Sequence, residues 1–123
     1  MKVMNGSITG RYCPFEVGGE LWLQKGGEVF MIAETVELLG LVEKLGSISQ
    51  AAKAMNISYQ KAWTLIDVAN RNARLPLIKR KRGGNSGGGA EITTEGRKMI
   101  AEFNALQNRF NEFIKNNTVM FGD

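Results

Sequence analysis

Apolar residues recur along the chain with two different periods, and the changes of period mark out the elements. Between Glu20 and Ile32 (ELWLQKGGEVFMI), Leu21 and Leu23 alternate with polar or amphipathic neighbours, Lys25-Gly26-Gly27 interrupts, and Val29 to Ile32 returns. Alternation on both sides of a glycine turn predicts a β-hairpin, because glycine reaches positive φ without a Cβ clash. From Ala33 to Leu45 the period lengthens. Leu38, Leu41, Val42 and Leu45 recur at i, i+3, i+4 and i+7, predicting a helix with those four on its apolar face and Gly46 placed to end it.

Two shorter helices follow. Ser47 or Ser49 can cap the first, and the small residues Ala51, Ala52 and Ala54 allow a close helix crossing. Asn56 sits where a turn needs the left-handed region, which asparagine tolerates next best after glycine. Ile57 then plugs the turn into the core, and Ser58 caps the next helix. On that helix Ala62, Leu65, Ile66 and Ala69 share one face, while Gln60, Thr64, Asp67 and Arg71 share the opposite one. Tyr59, Lys61 and Trp63 lie at the flanks near its N-terminal end, where an aromatic such as Trp63 reads first as packing.

Beyond Pro76, which blocks helix continuation, Leu77 to Arg82 and Ala90 to Thr93 form the arms of a second predicted hairpin around the tip GGNSGGG. From Thr94 to about Lys115 a long helix is predicted, capped by Thr93 or Thr94. Met99, Phe103, Leu106, Phe110 and Phe113 are spaced 4, 3, 4, 3 along it, the spacing of a coiled-coil seam. At 1.5 Å per residue such a helix is about 33 Å long and would overhang so small a domain. The stripe then calls for a partner, of which a second copy is the simplest, or it folds back on its own core. Residues 1–19, with Gly6, Gly10, Gly18, Gly19 and Pro14, read as an extended, partly ordered arm ahead of a domain spanning 20–123.

Composition narrows the chemistry. The 123 residues suit one domain with a single core. There is no histidine and one cysteine, Cys13, so His-based catalysis is excluded, an internal disulfide cannot form, and a structural zinc site is nearly excluded. No apolar run approaches the roughly 18 residues of a membrane span, and the start MKVMNGSITG lacks the apolar core of a signal peptide. A cytoplasmic protein without a cofactor is expected. The net charge is only +4, yet Ser58 to Lys98 holds nine Lys and Arg against Asp67, Glu91 and Glu95. That basic patch suits a polyanion, though a solvated basic face would read the same from charge alone.

Helix, short helix, turn, helix and basic hairpin is the order of a winged helix-turn-helix, a mainly α fold with β-hairpins. In that design the third helix enters the DNA major groove and its N-terminal side chains reach base edges. The candidates here are Ser58, Tyr59, Gln60, Lys61 and Thr64, with Ser49 from the helix before. Gln60 can bond adenine in two places, Lys61 can reach guanine or phosphate, and Thr64 offers a hydroxyl and a methyl. Lys79, Arg80, Lys81 and Arg82 on the wing, with Asn85 and Ser86 at its tip, are candidate backbone contacts. Strand alternation means that only two of the four basic residues need face DNA. Asp67 would repel phosphate unless it pairs with Arg71 at i, i+4 or tilts away. A P-loop is not formed, since Gly89 is followed by Ala90-Glu91.

From LLGLVEKLGSISQAAKAMNISYQKAWTLIDVAN to PLIKRKRGGNSGGGAEITTEGRKMI the chain resembles the N-terminal DNA-binding domain of the molybdate-responsive ModE-type regulators. The residues that carry the resemblance are Gly46-Ser47-Ile48-Ser49, Ala51-Ala52, Ser58-Tyr59, Ala62-Trp63, Asn70, the glycine-rich wing, and Ile92-Thr93 with Gly96. The helix-turn-helix alone would also suit LysR-type regulators. The resemblance implies a homodimeric winged-helix transcription regulator on a palindromic double-stranded operator. It also implies a dimerisation helix over 94–116 carrying Met99, Phe103, Leu106, Phe110 and Phe113. The sequence ends at Asp123, so the family's C-terminal oxyanion-binding domains are not expected here, although a link to molybdenum metabolism is. Asn56 stands where glycine is often found. The rival readings are a winged-helix protein-interaction module without DNA binding and a small enzyme. The second is disfavoured by the lack of any nucleophile–base pair.

Overall fold

The computed structural model describes residues 13–81, 89–117 and 119–121. These residues fall into two units, one of residues 22–103 and the other of the segments on either side. In the first, strands β2 (Leu23–Lys25) and β3 (Glu28–Met31) form the first hairpin. Gly26 and Gly27 have φ of 57° and 86°. Positive φ at both central residues is what a tight hairpin turn matched to the strand twist demands.

Helix α1 runs from Ala33 to Leu45, the span predicted, and Gly46 ends it at φ 73° with its N–H on the Val42 carbonyl. Its buried stripe is rotated from the expected one. Thr35, Leu38, Leu39 and Val42 are buried, Leu41 is half-buried and Leu45 is exposed. Both stripes fit a 3.6-residue period. Thr35 belongs on the inner one because its hydroxyl accepts the Ile32 N–H at 3.3 Å, which makes a buried polar group tolerable.

Helix α2 (Ile48–Met55) starts at Ser47, whose side chain accepts the Gln50 N–H; Ser49 lies exposed inside the helix and is not the cap. Asn56 adopts φ 59°, the left-handed turn expected of it, and Ile57 is half-buried. Helix α3 (Tyr59–Asn72) begins at Ser58, whose hydroxyl accepts the Lys61 N–H at 2.9 Å. Ala62, Ile66 and Ala69 on α3 are fully buried, against the alanine face of α2, the first hairpin and α1. Small residues at the crossing let the helix axes approach, and burial of Ile66 contributes roughly 1.5–3 kcal/mol.

Strands β4 (Ile78–Arg80) and β5 (Ala90–Ile92) pair antiparallel, Ile78 opposite Ile92 and Arg80 opposite Ala90. The base of this second hairpin is bonded into the helices: the Ala90 N–H donates to the Gly46 carbonyl, and Gly89 pairs with Ser47. Helix α4 (Thr94–Asn116) is capped by Thr93, whose hydroxyl accepts the Gly96 N–H at 2.9 Å and shares its hydrogen between the Pro76 and Leu77 carbonyls. At Gly96 a Cβ would collide with the Leu77 carbonyl oxygen and the Ile92 side chain. The glycine is there for close approach, not for a special φ.

In the other unit β1 (Cys13–Phe15) pairs antiparallel with β6 (Val119–Phe121), Pro14 opposite Met120. This ribbon was not anticipated. Its two strands lie about a hundred residues apart in sequence, and each is only 3 residues long. The second half of α4 belongs to the same unit, where the Phe110 ring lies against Gly19. None of residues 15–21 or 104–117 is buried.

Candidate nucleic-acid interface

Ser58 caps α3, so the free N–H groups at its start are partly satisfied while the positive end of the helix dipole stays open to solvent. Around that end Tyr59, Gln60, Lys61 and Thr64 are all exposed, and Gln60, Thr64, Asp67 and Arg71 do share the outer face. Two of these side chains have neighbours that periodicity did not reveal. The Thr64 hydroxyl donates to the Gln60 carbonyl at 3.0 Å. It is therefore occupied on its own helix, and what Thr64 offers outward is its methyl. Beside it runs a cleft lined almost wholly by carbon, between Phe30, Ile32, Leu65 and Val68. Lys61 pairs with Glu34 at 3.4 Å, with half of the lysine side chain exposed. Such a pair is worth little and leaves the ammonium available to a stronger anion.

Arg71 does not pair with Asp67. It reaches Glu28 at 2.6 Å, and Asn72 donates to the same carboxylate at 2.8 Å. The Asn72 amide, and after it the Arg71 guanidinium, hold the Glu28 carboxyl below the usual carboxylate range. The turn of the first hairpin is thus clamped to the far end of α3. Asn70 makes a second clamp: its side-chain oxygen accepts the Leu77 N–H at 2.8 Å and its amide donates to the Ile78 carbonyl. Sequence reasoning noted Asn70 without a role; its job is to start β4 at a set place along α3.

The basic residues of the second hairpin are not equivalent. Ile78 is buried, and alternation puts Arg80 on that same face while Lys79 and Lys81 take the other. Lys79, Arg80 and Lys81 all remain exposed. Arg80 lies 4.5 Å over the centroid of the Trp63 ring. Tyr59 meets the same ring edge-on, centroids 6.4 Å apart. Trp63 is half-buried, with an indole N–H that has no hydrogen-bond partner among the described residues. Arg82, Asn85 and Ser86 lie outside the described residues. Ser49 is exposed on α2, and no hydrogen bond places it with the α3 group. The structure therefore joins Tyr59, Trp63 and Arg80 directly and sets Gln60, Lys61 and Thr64 beside them.

The stripe on α4 divides. Phe103 is buried in the 22–103 unit, Met99, Leu106 and Phe110 are half-buried, and Phe113 is 61% exposed. Phe103 is a core residue here, so the five positions do not form one free seam. Among the described residues no cluster of His, Cys, Asp and Glu could hold a metal ion, and no helix is long and apolar enough to cross a membrane.

No family model matches the chain. It is 43% identical over 72 residues to the molybdenum transport protein ModE of Azotobacter vinelandii, covering 58% of this chain and 27% of that one. Over 77 residues it is 39% identical to the molybdenum-pterin-binding protein MopB of Rhodobacter capsulatus, covering 63% and 28%. Over 86 residues it is 36% identical to the DNA-binding transcriptional dual regulator ModE of Escherichia coli K12, covering 70% and 33%. The chain spans no more than about a third of the length of these curated relatives. It is a mainly helical chain with small antiparallel hairpins, similar along most of its own length to a segment of ModE and Mop proteins.

Proposed function

We propose that the chain is a sequence-specific, dimeric DNA-binding regulator of transcription, acting in the cytoplasm and linked to molybdenum, built as a winged helix-turn-helix. The observation that carries this reading is the α3 end: a capped helix start with Tyr59, Gln60, Lys61 and Thr64 exposed, joined through Trp63 and Arg80 to a basic strand. An exposed helix end of this kind fits the major groove, and lysines set to one side of it fit the flanking phosphates. The names of the relatives support both regulation and the molybdenum link. No relative's name gives it a catalytic role.

In this reading Gln60 reads adenine edges and the Thr64 methyl packs on thymine methyls. Lys61 exchanges Glu34 for a phosphate or guanine, and Lys79 and Lys81 neutralise backbone phosphates. The second copy docks on the outer half of α4, where Phe113 and its half-buried neighbours Leu106 and Phe110 present apolar surface. Selection of bound sequences from a random duplex pool tests the whole reading. An inverted repeat, its half-sites about one helical turn apart, is expected; recovery of no preferred sequence would overturn it.

A further inference from the structure

We infer that Arg80 is a positioning residue and not a phosphate ligand: its guanidinium on the Trp63 ring sets the basic strand against the reading end of α3. Its consequence for DNA rests on the function proposed above; the tie itself belongs to the free protein.

Four observations converge on it. The guanidinium is 4.5 Å from the ring centroid, inside the range of cation–π attraction. Arg80 shares the face of β4 that carries the buried Ile78, so its side chain starts out toward the protein. Tyr59, edge-on to Trp63, backs the ring from the other side of the helix start. The chain geometry also makes the tie the second of a pair. Asn70 fixes the start of β4 through the Leu77 N–H and Ile78 carbonyl, and Trp63 lies seven residues back toward the start of α3, about 10 Å along its axis. From Ile78 to Arg80 a strand covers roughly 7 Å in the same direction. β4 therefore runs back along α3, fixed at one end by Asn70 and at the other by Arg80. Lys79 and Lys81, on the opposite face, are carried to a set distance from the residues that start α3. On β5 the corresponding hold is the Ala90 N–H on the Gly46 carbonyl. Lysine could not replace Arg80 fully, since stacking uses the planar guanidinium.

The experiment uses the full chain in a Trp22→Phe background, so that Trp63 is the sole tryptophan. Arg80→Gln, Arg80→Lys and Lys79→Gln are compared by Trp63 emission, by hydrogen exchange of the Lys81 amide that bonds the Gly89 carbonyl, and by the salt dependence of binding to the selected duplex pool. Arg80→Gln is expected to red-shift the emission and speed exchange at Lys81. It should also weaken duplex binding roughly two- to thirtyfold, the span of measured cation–π contacts, with an unchanged salt slope. Arg80→Lys should recover only part of each effect. Lys79→Gln should leave emission and exchange alone and flatten the salt slope by about 0.9. If Arg80→Gln instead behaves like Lys79→Gln, Arg80 is an ordinary phosphate ligand and the inference fails. It fails too if emission shifts while exchange at Lys81 does not. A parent protein that binds no duplex would sink the proposed function, and the emission and exchange arms would still decide the positioning role.

Discussion

Helices α3 and α4 both carry an apolar stripe at helical spacing, but the two stripes meet different surroundings. On α3, 14 residues long, Ala62, Ile66 and Ala69 are completely buried beneath α2, the first hairpin and α1. On α4, 23 residues long, only Gly96 and Phe103 are buried, and Phe113 is 61% exposed. The difference lies in what the rest of the chain brings to each helix. Around α3 the chain doubles back three times within forty residues and ties itself down by Arg71–Glu28, Asn70–Leu77 and Trp63–Arg80. Beyond Phe103 no described residue of its unit is buried. Period shows that a helix has a face; only long-range pairing shows whether the same chain covers it.

The comparison breaks first at the core. Ile66→Ala should cost about 2–5 kcal/mol in urea unfolding, because it leaves a cavity in a fully packed site. Phe113→Ala should change stability by less than about 0.5 kcal/mol, yet weaken self-association in sedimentation, because its ring is exposed in the single chain. Equal losses of stability from the two would show that the α4 stripe is covered after all. Phe103 is a poor probe of association, since its burial ties it to folding.

Gly96→Ala should cost about 1–3 kcal/mol, since its methyl group has no room between the Leu77 carbonyl and Ile92. Thermal unfolding checks this, and a neutral result would mean that α4 can slide at its start without disturbing β5.

The smallest expected effect is at the Glu28 clamp. Its folded-state pKa is lowered, so its contribution to stability is complete above the ordinary carboxylate value of 4.5 and is lost as pH falls through the lower folded value. Glu28→Gln should flatten the acid limb of the stability–pH curve and leave neutral stability nearly unchanged, because the pair is exposed. An unaltered acid limb would place the titrating carboxylate elsewhere.

Local features were legible in proportion to how local their causes are. The bounds of α1, the Gly26-Gly27 turn, the left-handed Asn56 and the Ser58 cap each follow from a few adjacent residues. The rotation of the α1 stripe was not, because Thr35 counts as polar until its hydroxyl is seen on the Ile32 N–H. Arg71 found Glu28, 43 residues away, over the expected Asp67 at i−4. Within the candidate interface the exposed residues at the start of α3 were readable from spacing. The split between Arg80 and its lysine neighbours was not, since it depends on which face of β4 Ile78 takes into the core.

The central claim is that α3 and its basic strand bind DNA, and the most direct measurement is a titration of the selected duplex across a series of salt concentrations. With Lys79 and Lys81 from each of two copies on phosphates, the logarithm of the binding constant should fall linearly with the logarithm of salt, with a slope of about −3.6 or steeper. Absence of binding at low salt, or binding that ignores salt, would contradict the account.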